Sequence, residues 1–379
     1  MFGQYLSKRL ASITLLLGSV FLAASPAAAQ TRDGILDTSV SPVSQTQEAD
    51  AVGFRNGSLV VAPIPFSNPT IGSGLAIGLG YLFQFDESSK PSVIGIGGLR
   101  SDNGSMAAGF AANFYFSENR WILRLLGAEA DVQYDLYTNP GVLPIRQDGI
   151  LGRIALSYGV TPDLSFGASV RYLDTSIAPA SPGLPPIPPP FDQFLAVEVA
   201  NVGVIAEWDT RDDSIYPTTG HHLGFQAAHG IALSGLVQDY QKAYANFTTY
   251  FRPYERGVIA ARASLCAASQ ETPFFDQCGL GTTDAFRGFS ATQLLDFRSA
   301  SLQVELRHRF TERIGGVVFG GIGQTGSEFD TLDAGGTHSA YGLGARYRVS
   351  KQFPLDFSVD VSRNDRSETN LYIYVGQRF

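Results

Sequence analysis

The sequence predicts an all-β chain, closed into a 16-stranded antiparallel transmembrane β-barrel, and three observations carry that expectation. From Gly57 to the end, apolar and polar residues alternate with a period of two, and no 3.6-residue helical period is sustained over a dozen residues. The alternating runs number sixteen, the even count that a bacterial single-chain barrel requires. The connections also sort by side, short ones on one and long ones on the other, as a spanning barrel shows and a β-sandwich has no reason to show.

Residues 1–29 contain Lys8 and Arg9, an apolar run from Leu10 to Ala24, and the small-residue ending Ala27-Ala28-Ala29. Together they read as a secretory signal peptide cut before Gln30. No later stretch approaches about 18 consecutive apolar residues, so membrane passage falls to strands. Residues 30–56 are polar and aperiodic and read as a flexible periplasmic tail. The barrel domain then occupies 57–379.

Strands are expected at 57–66, 73–86, 91–101, 105–117, 120–134, 147–160, 163–176 and 195–209. A second set follows at 221–233, 239–253, 257–269, 298–310, 314–325, 337–349, 354–363 and 368–379. The alternation is clearest late in the chain. Ser299, Ser301, Gln303, Glu305, Arg307 and Arg309 fall on one face, against Leu302, Val304, Leu306 and Phe310 on the other. Alternation does not say whether the oily face meets lipid or a soluble core; the sorted connections do. Short turns at 87–90, 117–119, 161–162, 253–256, 311–313 and 350–353 share a side with the termini. The long connections 135–146, 178–193 and 270–297 lie opposite. Pro63 and Pro65 in the first strand read either as a weakly paired seam or as an approach to the barrel. The proline-rich 179–190 reads as a stiff outer spacer.

Net charge is −8 without a basic block, which argues against a nucleic-acid partner. Only 16% of residues are charged, beside 41 glycines and 12% aromatics, a mix that suits strands in a membrane and also a secreted β-sandwich. Histidines 221, 222, 229, 308 and 338 lack metal-ligand spacing, no nucleophile signature accompanies them, and the expectation is a non-enzyme without cofactor or metal. Cys266 and Cys278 either close a disulfide across the long connection or remain two buried thiols.

That connection, about 28 residues long, exceeds what compact folds leave structureless. Near its end stands Asp284-Ala285-Phe286-Arg287-Gly288-Phe289, an arginine between phenylalanines. On local grounds it reads equally as an exposed turn in which Gly288 takes a positive φ.

Three motifs in order resemble the bacterial surface antigen family, the barrel domain of the BamA/TamA outer-membrane assembly superfamily. Asp209-Thr210-Arg211-Asp212-Asp213 with Tyr216-Pro217-Thr218-Thr219-Gly220 resembles that family's periplasmic turn. Phe286-Arg287-Gly288-Phe289 resembles its Arg-Gly-aromatic motif between strands 11 and 12. The end of the chain, with Tyr374, Gly376 and Phe379, resembles the terminal assembly signal of outer-membrane barrels, on a strand expected to run to the last residue.

The resemblance implies that the long loop folds into the barrel lumen, where its arginine meets acidic wall residues. Glu305, on the wet face of strand 12, is the expected partner of Arg287; the competing pairing is Glu305 with Arg307 or Arg346. A second acid of the family pattern is missing, since strand 13 reads Phe319-Gly320-Gly321-Ile322-Gly323, and looser loop anchorage follows as an expectation. Family members that deliver clients carry periplasmic POTRA repeats of several dozen residues, and residues 30–56 are too few for one. The resemblance therefore implies a barrel-only scaffold for assembly or transport at the bacterial outer membrane, contacting outer-membrane lipid and either the barrel-assembly machinery or a separate periplasmic partner. The competing reading is a diffusion channel, with Arg346, Arg348 and Asp360 lining its pore.

Overall fold

The computed structural model describes residues 52–54, 57–86, 89–90, 92–138, 141–189, 191–282, 286–332, 335–349 and 355–379. The signal peptide, the tail up to residue 51, the turn at 350–353 and the pair Asp284-Ala285 lie outside them.

Val52–Phe54, expected in the flexible tail, instead forms a short strand antiparallel to Gly57–Leu59, and all sixteen expected strands are present. They are β1 Gly57–Asn68, β2 Gly72–Phe83, β3 Ser92–Ser101, β4 Met106–Phe116, β5 Trp121–Tyr137, β6 Val142–Gly159, β7 Leu164–Pro179 and β8 Ala196–Asp209. The second half comprises β9 Gly220–Ser234, β10 Tyr240–Tyr254, β11 Gly257–Ala268, β12 Arg298–Arg309, β13 Ile314–Gly326, β14 His338–Arg348, β15 Asp356–Asn364 and β16 Thr369–Val375. Each pairs antiparallel with its sequence neighbours, and β16 returns to β1, closing the barrel.

The burial pattern is inverted relative to a soluble fold. On β12 the outward Leu302, Val304 and Leu306 are 41–46% exposed, whereas the inward Glu305 is 0% exposed. Ile154, Leu156, Val170, Val204, Val318 and Leu343 continue the exposed apolar band around the circumference. A patch of that extent is tolerated only against lipid or a partner, and one that encircles a closed barrel meets lipid.

Strands β5, β6 and β7 contain 17, 18 and 16 residues, beyond the roughly 9–11 needed to cross a bilayer. Their outer ends carry an apolar inner face of Val132, Tyr134, Leu136, Leu143, Ile145 and Ile177, packed on Ile187, Phe274 and Phe275. Here the sequence expectation of a long connection at 135–146 is corrected. The β5–β6 ladder runs on through Asp135↔Pro144 to Tyr137↔Val142. Pro144 faces outward, and burial of the alternate Leu143 and Ile145 keeps the strand in register.

The last strand is a second correction. It stops at Val375, because Gly376 takes φ +94° and donates its N–H to the Asp356 carbonyl at 2.7 Å. Phe379 thereby leaves the wall and packs on Tyr250 and Ala260 of the inner face.

Closure is uneven. The β1–β2 ladder holds twelve registered pairs from Gly57↔Phe83 to Asn68↔Gly72, whereas β16 and β1 register at Ile373↔Ser67 alone. N–H groups two residues apart point to one strand edge, so Pro63 and Pro65 remove two donors from a single edge of β1. Both prolines sit within the intact ladder to β2, which leaves the seam edge as the one depleted. Amide hydrogen exchange is therefore expected to be fastest, among the barrel strands, along β16 and β1 and slowest along β5–β7; uniform protection around the ring would contradict this closure.

Candidate functional site in the barrel lumen

Segment 269–297, between β11 and β12, meets strands from around the whole circumference. Asp276 pairs with Arg171 of β7 and accepts from the Tyr240 hydroxyl of β10 at 2.5 Å. The Ala291 amide donates to Thr70 at 3.0 Å, and Thr292 donates to the Asp135 carbonyl of β5. Gln293 reaches Glu368 at 2.6 Å. A segment that touches opposite walls crosses the interior. One tether is covalent, the Cys266–Cys278 disulfide between β11 and the loop, which leaves no free thiol.

Arg287 lies at the centre of this interior and is fully buried. Its Nη2 is 2.5 Å from Glu305 and its Nη1 is 2.6 Å from Asp360. The guanidinium carbon sits 3.5 Å from the Phe319 ring centroid, a cation–π contact strengthened by exclusion of water. Glu305 also pairs with Arg307 at 2.8 Å, so the two pairings weighed from the sequence occur together. Asp360 also holds Arg346 and accepts from the Tyr374 hydroxyl at 2.6 Å.

The second acid is thus found on β15 rather than β13, and Arg287 has two carboxylates despite Gly321. The expected looser anchorage is corrected accordingly. Sequence reasoning had placed Asp360 on the wet face only as a pore residue. The overlooked signal was Gly344 directly opposite it: a Cβ on Gly344 would fall on the Asp360 carboxylate.

Gly288 serves backbone and contact together. Its φ is +140°, and a Cβ would come within 2.4 Å of Ala340. Its N–H donates to the Tyr372 hydroxyl at 2.7 Å, and its carbonyl accepts from Asn364 at 2.9 Å and Asn370 at 2.7 Å. Phe286 and Phe289 stack at 5.8 Å and bury against Leu280, Leu294 and Ala340. The exposed-turn reading of this motif does not hold for its described residues.

The turn Thr210–Thr219 seals the end where the short connections lie. Asp209 receives both arms of Arg211 at 2.7 Å, and Asp212 accepts from the Thr218 and Thr219 amides at 2.8 and 3.1 Å. Ile215, Pro217 and Thr218 are buried. Tyr216 offers its ring to Arg309 of β12 at 4.7 Å and Arg348 of β14 at 5.1 Å. Both arginines also pair with Asp356. Tyr216 therefore reaches across the opening, a role its place in a turn motif did not reveal. Gly220, φ +97°, returns the chain to β9. Arg346, Arg348 and Asp360, expected to line a pore, are all engaged in ion pairs.

A closed 16-stranded barrel with an outward apolar band, an internally anchored connection and an uneven seam is an outer-membrane type of protein. Its sequence places it more closely: residues 111–379 match the Omp85 superfamily domain, and the chain belongs to that superfamily. No curated protein sequence matches it. Among solved structures it is similar to BamA from Haemophilus ducreyi lacking POTRA domains 1–3, with TM-score 0.57 and 15% identity over 85% of this chain and 70% of that one. CdiB from Acinetobacter baumannii is similar at TM-score 0.55 and 11% identity, over 90% of this chain and 68% of that one. At such identity the likeness is one of fold.

Replacing Arg287 with Ala leaves the fully buried Glu305 and Asp360 with only their wall arginines, Arg307 and Arg346, at a cost of up to about 3–5 kcal/mol. The variant is expected to lose heat-modifiable gel mobility at a lower temperature than the parent; an unchanged transition would refute the central role of the pair. Separately, the Asp212 carboxyl is pushed up by partial burial but held below the usual carboxylate range by its Thr218 and Thr219 hydrogen bonds. Its stabilisation is complete above the unfolded-state pKa and disappears as pH falls through the lowered folded-state pKa. The unfolding temperatures of the parent and Asp212→Ala should accordingly converge in acid and diverge towards neutrality.

Proposed function

We propose that this chain is an outer-membrane scaffold that opens at its β16–β1 seam to pass or insert protein segments, an accessory role in outer-membrane assembly or transport. The observation that carries this reading is the seam itself, with one registered pair where the ladders on either side hold seven and twelve. An exposed strand edge is a template for pairing with another chain, and in lipid its unpaired N–H and C=O groups gain most from such a partner. The similarity in fold to BamA and CdiB supports the reading.

The immediate surroundings are outer-membrane lipid along the apolar band. Barrel-assembly machinery or a separate periplasmic protein is the partner class for delivery. The Phe286–Phe289 motif and Glu305 act as the anchor of the interior loop, the Asp209–Gly220 turn as its periplasmic floor, and Tyr374, Gly376 and Phe379 as the terminal signal read during the protein's own assembly. No catalytic role is assigned to any of them.

The diffusion-channel reading is weakened because the loop, the Tyr216 turn and Phe379 occupy interior space that a pore needs. Planar-bilayer recording separates the two. The scaffold gives small, irregular current steps, which disappear when Ser67→Cys and Ile373→Cys are joined across the seam. Large, steady steps indifferent to that crosslink would establish the channel instead.

A further inference from the structure

Arg262 on β11 is 3% exposed, and among the described residues no carboxylate pairs with it. Its Nε donates to the Thr248 hydroxyl at 2.7 Å, while its Nη2 is buried without a partner. The acids nearest along these strands are engaged elsewhere: Glu305 with Arg287 and Arg307, Glu207 with Arg124, Asp209 with Arg211. Arginine keeps its charge at any physiological pH, so burial here calls for a counter-charge that the described wall does not supply.

Two further buried polar atoms without partners share this inner face, Asn246 Oδ1 on β10 and His222 Nδ1 on β9. Beside them lies the buried Tyr250 hydroxyl of β10, which Arg211 approaches as a donor and whose own proton is left to give. The register brings them together. His222 stands opposite Thr248, and Thr248 opposite Arg262, with Asn246 and Tyr250 two residues to either side of Thr248. Gly224 keeps the surface recessed between them, since a Cβ there would lie 2.9 Å from the Asn246 amide nitrogen and 3.5 Å from His222 Cε1. The Phe379 ring faces the Arg262 guanidinium at 5.7 Å and packs on Tyr250.

We propose that Arg262, Tyr250, Asn246 and His222 form a binding site for a small oxyanion, near the periplasmic end of the lumen. Arg262 Nη2 and the Tyr250 hydroxyl donate to it directly. His222 donates in its Nδ1–H tautomer, and the Asn246 amide donates once rotated, an assignment that hydrogen positions leave free. Water satisfies neutral groups in such a recess but brings no charge. A carboxylate or a phosphate group does both, with bidentate geometry suited to guanidinium.

The test uses the full chain in detergent micelles, with unfolding temperature followed against inorganic phosphate and, separately, acetate, each compared with chloride at matched ionic strength. A saturable rise with either anion is expected, and which anion gives it identifies the group recognised. In Arg262→Met the anion-dependent rise is lost, whatever the variant's baseline. In Tyr250→Phe the anion concentration at half-effect increases roughly tenfold, the worth of one hydrogen bond to a charged group. Should Arg262→Met fail to fold, the Tyr250→Phe shift decides alone. No rise beyond chloride, or an equal rise in the variants, overturns the site.

Discussion

The Arg287 guanidinium, fixed between Glu305 and Asp360 and set on the Phe319 ring, is the interaction on which the interior depends. A fully buried cation is costly unless it is paired with opposite charge in good geometry. Here two carboxylates from β12 and β15 answer it, and each is shared with a wall arginine, Arg307 or Arg346. The loop is thereby locked to β12, β13 and β15 through one side chain, and to β14 through Arg346. Gly288 adds backbone hydrogen bonds to β15 and β16, and the Cys266–Cys278 bond fixes the far end of the loop to β11.

The polarity of the wall follows from the same chemistry. Lipid outside demands Leu, Val and Ile on one parity of each strand, so Glu305, Arg307, Arg346 and Asp360 turn inward, where charges accumulate and must neutralise one another, and outward Arg363 sits near the end of β15. Glu305, Arg307, Arg346 and Asp360 do this pairwise. This is why the fold was so legible: a period-two pattern fixes which face each residue takes, and an even number of strands with sorted connections separates a lipid-facing barrel from a sandwich. The misplaced boundaries came from chemistry that periodicity does not encode. Pro144 looks like a breaker yet lies in a wall whose inner neighbours are buried, and Gly376 ends β16 three residues before the chain does.

The site was legible only where two residues had to meet across a single step of register. Arg287 with Glu305 was within reach because strand 12 follows the loop directly. Asp360 lies 73 residues from Arg287, three strands away, and its contact depends on barrel curvature and on the space left by Gly344. Tyr216 presents the same difficulty in another form. A turn motif reads as local hydrogen bonding, which Asp209 and Asp212 supply, whereas its aromatic member reaches arginines on β12 and β14 that only closure brings near.

The anchored interior and the weak seam are linked through β16. That strand has one registered partner on β1, yet its inward tyrosines are firmly held: Tyr374 bonds Asp360 at 2.6 Å and Arg346 at 2.9 Å, and Tyr372 accepts the Gly288 amide. Its position at the seam is therefore set by the β15 ladder and by the lumen cluster more than by the strand it closes against. In the proposed opening at β16–β1 few ladder bonds are sacrificed, while the Arg287 network holds β12 to β16 as one wall. The same linkage runs in reverse: displacing Arg287 or Gly288 releases the two tyrosines that fix the seam strand, so the loop and the opening edge belong to one mechanical unit.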